Sequence, residues 1–310
     1  MKPPDSDFAV IYLANDRTID WLIASYNSLR KTGYQGQCML IQWNDDFKKV
    51  RQWCQENGIH EISAPKLLKN EGELKSVADQ VAANSNDSNH LKKFHAFGQS
   101  DTFLYVDTDT IFLKNPAECD SVFRQSSVEF VYYNTDYSWV WVDPDFKLEM
   151  IAQYNSAGFN TGVFWSRRDT ITAEMLEKCA VEFQKIKHLT AATRGVGEQS
   201  FINYVVDVCR IKKRPAKNFF PTMTGGIWAN NKQLGRIRRV NPEQFPIIHW
   251  AGFQLEPGAP YIRDLLEYRV EKLNVLSRVI YVFKFYRLHS WTWRRILKAE
   301  LRWILERLKH

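Results

Sequence analysis

The chain has 310 residues, 45 % hydrophobic and 25 % charged, with a formal net charge of +7. Residues 271–310 carry ten basic residues against three acidic ones, which is the whole excess; residues 1–270 are neutral, with 32 of each sign. A neutral body argues against nucleic acid as the partner, because a phosphate-tracking groove needs a net basic face, and the apolar content excludes general disorder. No run approaches the ~18 apolar residues of a membrane helix. The opening MKPPDSDF lacks the apolar stretch of a signal peptide. Five cysteines, odd in number and far apart, fit reduced thiols in a cytoplasmic protein and have no zinc spacing.

In chain order, residues 8–13 (FAVIYL) read as a buried strand and residues 20–31 as a helix stopped by Gly33. Residues 38–43 are a second strand, 46–57 a helix ended by Asn57-Gly58, and Ile59–Ser63 a short third strand. Strand–helix–strand–helix–strand is the signature of a parallel sheet with crossover helices. Residues 84–89 (NSNDSN) read as a polar loop, Leu91–Gly98 as a helix, and Thr102–Val106 and Val128–Tyr133 as strands. Residues 134–158 show little periodicity and read as a long loop. Phe159–Trp165 is a strand, 171–188 and 197–210 are helices, 217–235 is a Gly- and Asn-rich loop, and Pro246–Trp250 is a last short strand. The expectation is one α/β domain over 1–260, with its site at the carboxyl ends of the strands, and a helical extension over 261–310.

The sharpest motif is FLYVDTDTIFLKNP, residues 103–116. Asp107 and Asp109 follow an apolar strand two residues apart, and in extended chain i and i+2 point to one side. Two carboxylates facing one spot repel unless a cation lies between them; Mg²⁺ or Mn²⁺ takes such oxygen ligands and bridges to phosphate. Asp-x-Asp also occurs in plain turns, where the side chains satisfy backbone N–H groups. Two enzyme classes place this pair after a buried strand. Asp107-Thr108-Asp109-Thr110 matches the Asp-x-Asp-x-Thr of haloacid-dehalogenase-like phosphatases, but their motif lies near the domain start and is followed by a second acidic motif, absent here. Nucleotide-sugar glycosyltransferases use Asp-x-Asp to hold a metal on a diphosphate.

Further segments resemble glycosyltransferase family 8, the glycogenin and galactosyltransferase-like group. Residues 8–30 look like its opening strand and helix, with Ala14-Asn15-Asp16 between them. Lys93-Phe94-His95-Ala96-Phe97 resembles its helix upstream of the acidic pair, Asn160-Thr161-Gly162-Val163-Phe164 its Phe-Asn-Ser/Thr-Gly-Val strand, Glu198-Gln199 its Asp-Gln at a helix start, and His249-Trp250-Ala251-Gly252 its His-Phe-x-Gly. These pieces stand in family order over about residues 8–257. The resemblance implies a GT-A fold: Rossmann-like α/β/α with a mostly parallel sheet.

It also implies transfer of a sugar from a nucleoside diphosphate donor, most simply a UDP-sugar, to an acceptor hydroxyl with retention. Asp107, Asp109 and His249 would hold Mn²⁺ or Mg²⁺. Asn15, Asp16, Lys93, Asp107 and Gly252 would contact the donor, and Asn160, Glu198 and Gln199 would carry the catalytic roles. Each has a plainer alternative: His249 as a core histidine, Asn15 and Asp16 as turn residues, Lys93 as a solvated lysine with Lys92 as its rival by spacing. Asn160 is polar in an apolar strand and needs a partner if buried. Glu198 starts a helix, where the dipole favours a carboxylate anyway. Three positions depart from the family: Thr18 replaces the aromatic platform for uracil, Leu255 replaces a phosphate-binding lysine for which Lys232 or Arg236 are substitutes, and Glu198 replaces Asp. A catalytically degenerate sugar-nucleotide-binding protein is therefore the alternative function.

In the tail, Trp293, Leu297, Leu301, Ile304 and Leu308 share one face of a helix over 290–310 with Ser290 as N-cap. Basic residues lie mostly off that face. This pattern suits an anionic membrane surface or a packed helix, and places the protein in the cytoplasm, at the membrane face in the first case. A lipid-linked or surface glycan is the matching acceptor.

Overall fold

A computed structural model describes residues 8–62, 71–82, 84–134, 140–220, 227–228, 241–250, 260–270 and 273–288. The first half begins with β1 (Phe8–Ala14), α1 (Ile19–Lys31), β2 (Gln37–Gln42), α2 (Lys48–Asn57) and β3 (His60–Ile62). Gly58, at φ 65°, supplies the left-handed C-cap that ends α2. Then come α3 (Glu71–Val81), α4 (Ser85–His90), a 3₁₀ helix over Leu91–Gly98, β4 (Thr102–Val106), β5 (Thr110–Phe112), α5 (Ala117–Gln125) and β6 (Phe130–Tyr132). The second half contains α6 (Pro144–Tyr154), β7 (Val163–Arg167), α7 (Ala173–Ile186), α8 (Gly197–Val208), β8 (Lys213–Pro215), β9 (Ile227–Trp228), β10 (Ile247–His249), α9 (Pro260–Arg269) and α10 (Val275–Leu288).

Seven strands form the main sheet in the order β3-β2-β1-β4-β7-β6-β8. Every neighbouring pair is parallel except those made by β7, which runs against β4 and β6. β1 explains the continuous apolar run: Ala9, Ile11 and Leu13 enter the core on one face, and Phe8, Val10, Tyr12 and Ala14 enter the core on the other. A second sheet, β5-β10-β9, stands beside the carboxyl end of β4. Its β5–β10 pairing is antiparallel and sets His249 opposite Thr110.

The strand expected over Phe159–Trp165 begins only at Val163, and β9 falls within the expected loop 217–235. Two further segments differ more from the sequence expectation. Residues 84–89 are not a loop: α4 forms there because the Asn84 side chain accepts a hydrogen bond from the Asp87 N–H and caps it. Six polar residues have no apolar periodicity, so nothing in the pattern announced this turn of helix. Residues 134–158 are not one long loop either. α6 spans 144–154, with Asp143 as N-cap, Pro144 in the first turn and Asn155 at φ 50° as the left-handed cap. Met150 is its buried residue, so most of the helix faces water and the stripe is too narrow to read. Leu91–Gly98 is helical as expected but of 3₁₀ type, with seven of its eight residues buried.

At the carboxyl end of the chain, α9 packs on α1: Asn27 Nδ2 donates to the Tyr268 carbonyl at 2.9 Å and Arg269 meets Asp20 at 2.8 Å. Leu265, Leu266 and Phe285 join Ala24, Ile111, Ile248 and Trp250 in a small third core. The expected helix over 290–310 lies outside the described residues, as do Gly252, Leu255, Lys232 and Arg236.

Candidate active site

The acidic pair lies in the bend between β4 and β5 rather than in extended chain. The side chains still converge. Asp107 and Asp109 are 29 % and 30 % exposed, and His249, buried at the end of β10, faces both: its Nε2 is 3.5 Å from Asp109 Oδ1 and 3.8 Å from Asp107 Oδ2. One ligand atom from each of the three residues falls within 4.8 Å of the others. The β5–β10 pairing spans about 140 residues of chain and brings the histidine here. Trp250 N–H donates to the Asp109 carbonyl at 3.0 Å, locking the same register one step further.

Two carboxylates and an imidazole are the donor set of a divalent cation such as Mn²⁺. Gly162 shows that the space is kept open. A Cβ on it would stand 2.3 Å from His249 Cε1 and 2.6 Å from Asp107 Oδ2. Burial pushes the Asp109 carboxyl up, but His249, a backbone N–H and Lys93 together outweigh that and hold it below its ordinary value. The residues therefore fit a divalent ion.

Of the two lysines, Lys93 stands in this cluster. It is 2 % exposed, and its Nζ is 3.3 Å from Asp107 Oδ1 and 3.1 Å from Glu198 Oε1. Lys92 instead donates to the Trp43 carbonyl. Burial pulls the Lys93 ammonium down, yet Asp107 and Glu198 hold it above its ordinary value. Tyr105 Oη donates to the same Asp107 Oδ1 at 2.8 Å. Burial pushes the Glu198 carboxyl up to about 7, partly offset by Lys93 and by the Thr161 hydroxyl, which donates to Glu198 Oε1 at 2.7 Å. Glu198 thus serves a buried ion cluster as well as starting a helix.

Asn160 finds the partner its burial requires. Its Nδ2 donates to Gln199 Oε1 at 2.9 Å, and its Oδ1 accepts from Gly162 N–H at 2.8 Å. Asn15 bonds Asn44 and the Arg17 N–H. The Asp16 carboxylate accepts from the N–H groups of Lys49 and Val50, so it caps α2 and does not join the cluster around Asp107. Sequence reasoning missed Asp87, whose buried carboxylate accepts from the N–H groups of Gly197 and Glu198 and so sets the first turn of α8. A Cβ on Gly197 would meet Asp87 Oδ2 at 2.5 Å and the Val81 carbonyl at 2.9 Å. The available signal was an acidic residue in a polar segment before the helix; its target lies 110 residues away.

No family model matches the sequence, and no curated protein matches it. Among solved structures, the galactosyltransferase LgtC, in complex with donor and acceptor sugar analogs, aligns with a TM-score of 0.50 at 12 % identity, over 86 % of this chain and 97 % of that chain. The chain has the GT-A fold. Mouse xyloside xylosyltransferase 1 aligns at 0.47 and 10 % identity, over 67 % of this chain and 83 % of that chain. Core-mannan synthase A from Aspergillus fumigatus, in an Mn/GDP form, aligns at 0.44 and 10 % identity, over 69 % and 74 % respectively. The expected fold class therefore holds: six of the seven main strands run parallel, and the candidate ligands lie at the carboxyl end of β4 in a GT-A fold.

Proposed function

We propose that the protein is a metal-dependent glycosyltransferase that moves a sugar from a nucleoside diphosphate donor, a UDP-sugar in the first instance, to an acceptor hydroxyl with retention. One observation carries this: Asp107, Asp109 and His249 converge on a single spot beside the end of β4. A divalent ion held by these three would supply Lewis acidity and neutralise charge on the departing diphosphate. Lys93 and Tyr105 hold Asp107 Oδ1, which leaves Oδ2 turned toward His249. Asn160 fixes the plane of the Gln199 amide beside the site, so that amide can orient a donor sugar. A haloacid-dehalogenase-like phosphatase lacks support, because the pair meets a histidine where that chemistry needs further carboxylates.

The test is hydrolysis and transfer of a panel of UDP- and GDP-sugars by purified protein with Mn²⁺ or Mg²⁺. The expected result is turnover that falls at least ~100-fold in Asp109→Ala, the scale of losing a charge-stabilising group. Unchanged turnover in that variant, or none across the panel, sinks the proposal. Calorimetric binding of nucleotide and metal without product would favour the degenerate binder.

We also propose that the cationic tail docks on an anionic lipid surface at the cytoplasmic face. Among the described residues no helix is long and apolar enough to cross a membrane. Support comes from α10, where Val275, Leu276, Val279 and Ile280 are between 45 % and 77 % exposed and fall on adjacent turns, in the segment that carries the excess charge. Sedimentation with vesicles of equal phosphatidylglycerol and phosphatidylcholine checks it. Binding should drop in the double variant Leu276→Asp, Ile280→Asp; wild-type protein that stays in the supernatant defeats the idea.

A further inference from the structure

A second cavity lies at the other end of α8. It measures about 400 Å³ and is lined by the carboxyl ends of α6 and α8 and by the edge strand β8. Val206, the first α8 residue in its lining, stands eight positions past Glu198, about 12 Å along the helix at 1.5 Å per residue. Its lining is cationic and aromatic: Arg210, Lys212, Lys213 and Arg214, with Tyr132 and Tyr154. The one carboxylate in the lining, Asp207, is buried and already paired with Lys213. The remaining three cations give the cavity a net positive charge in a body that is neutral overall.

The backbone here is unusual. Two of the three described non-glycine residues with positive φ line this one cavity, Asn155 at 50° and Arg210 at 57°. Asparagine tolerates that region. Arg210 stands just past the end of α8, where glycine would turn the chain without steric cost. The chain accepts the strain and presents a guanidinium instead, held 4.8 Å over the Tyr154 ring, with Nη1 donating to the Gln153 carbonyl at 3.3 Å. Strain kept at a residue that also lines a cavity points to a use for its side chain.

We propose that this cavity binds an anionic sugar residue, carboxylated or phosphorylated, of the acceptor glycan. Guanidinium and ammonium groups recognise the anion. The two tyrosines add apolar surface beside the cations, and a volume of this order suits a small polar ligand. That the ligand belongs to an acceptor rests on the transferase proposal; that the cavity binds a charged sugar does not.

The test is calorimetry on the full chain without donor or metal, so a failed transfer assay and a failed isotherm remain separate results. Probes are tetragalacturonate, glucose 6-phosphate, inorganic phosphate and maltotetraose. At least one charged sugar should bind tenfold or more tightly than both maltotetraose and inorganic phosphate, and which one binds separates the carboxylate from the phosphate source. Arg210→Gly should weaken it at least tenfold while folding at least as well as wild type, because glycine removes the strain. Arg214→Glu, an exposed charge reversal, should do likewise. Neither charged sugar binding, binding no tighter than maltotetraose or free phosphate, or binding intact in both variants overturns the proposal.

Discussion

Two clusters share Asp107, and they balance charge differently. Through Oδ1, Asp107 meets Lys93 Nζ at 3.3 Å and the Tyr105 hydroxyl at 2.8 Å, and the same ammonium sits 3.1 Å from Glu198. This side is closed by the protein's own cation. Through Oδ2, Asp107 turns toward His249 and Asp109, and among the described residues no lysine or arginine pairs with Asp109. The difference assigns roles. The first cluster holds Asp107 in place; the second has a donor set that could hold a cation.

The largest effect should come from the closed side. Lys93→Met leaves Asp107 and Glu198 without their counter-ion, and breaking a buried pair by removing one partner costs about 3–5 kcal/mol. Urea denaturation reads this directly. A loss below about 1 kcal/mol would mean that the lysine does not hold the carboxylates. Next is Gly162→Ala, which acts on the open side by pushing a methyl against His249 and Asp107. The overpacking should cost about 1–3 kcal/mol, and the rise in Tm expected with Mn²⁺ in wild type should vanish. A metal-induced shift of wild-type size in the variant would separate the three residues from any ion.

The most gradual effect is a pH slope. Burial raises the folded Glu198 carboxyl to about 7, against about 4.3 in the unfolded chain. Between those values the folded state binds more protons, so stability falls as pH rises. Glu198 therefore contributes stability that is complete below about 4.3 and lost as pH passes through about 7. Urea midpoints from acid to mildly alkaline pH should decline more steeply in wild type than in Glu198→Gln. Parallel curves would show that Glu198 keeps its ordinary acidity and that the closed cluster is wetter than its burial implies.

Much of the fold was legible because its signals are local. Apolar runs of strand length, Gly33 and Gly58 as stops, and a strand–helix alternation each lie within a dozen residues, and the observed elements follow them closely. α4 and α6 escaped because their caps carry the signal: Asn84 caps α4, which has no apolar stripe, and Asp143 caps α6, whose stripe of Phe146, Met150 and Tyr154 is narrow. In the site, Asp107 and Asp109 were visible through their spacing, whereas His249, Lys93 and Asn160 were legible only through family resemblance. Asp16 was named by the same route, and its carboxylate caps the α2 backbone.

By itself the sequence determined where most strands and helices would form and marked two carboxylates just past an apolar strand, since these are signals within one short segment. Only the tertiary structure put Lys93 rather than Lys92 beside Asp107, set His249 against the acidic pair through the β5–β10 register, and turned Asp87 into the cap of α8. Those choices depend on which distant segments become neighbours. Packing and strand pairing across more than a hundred residues settle that, and no spacing within one segment encodes it.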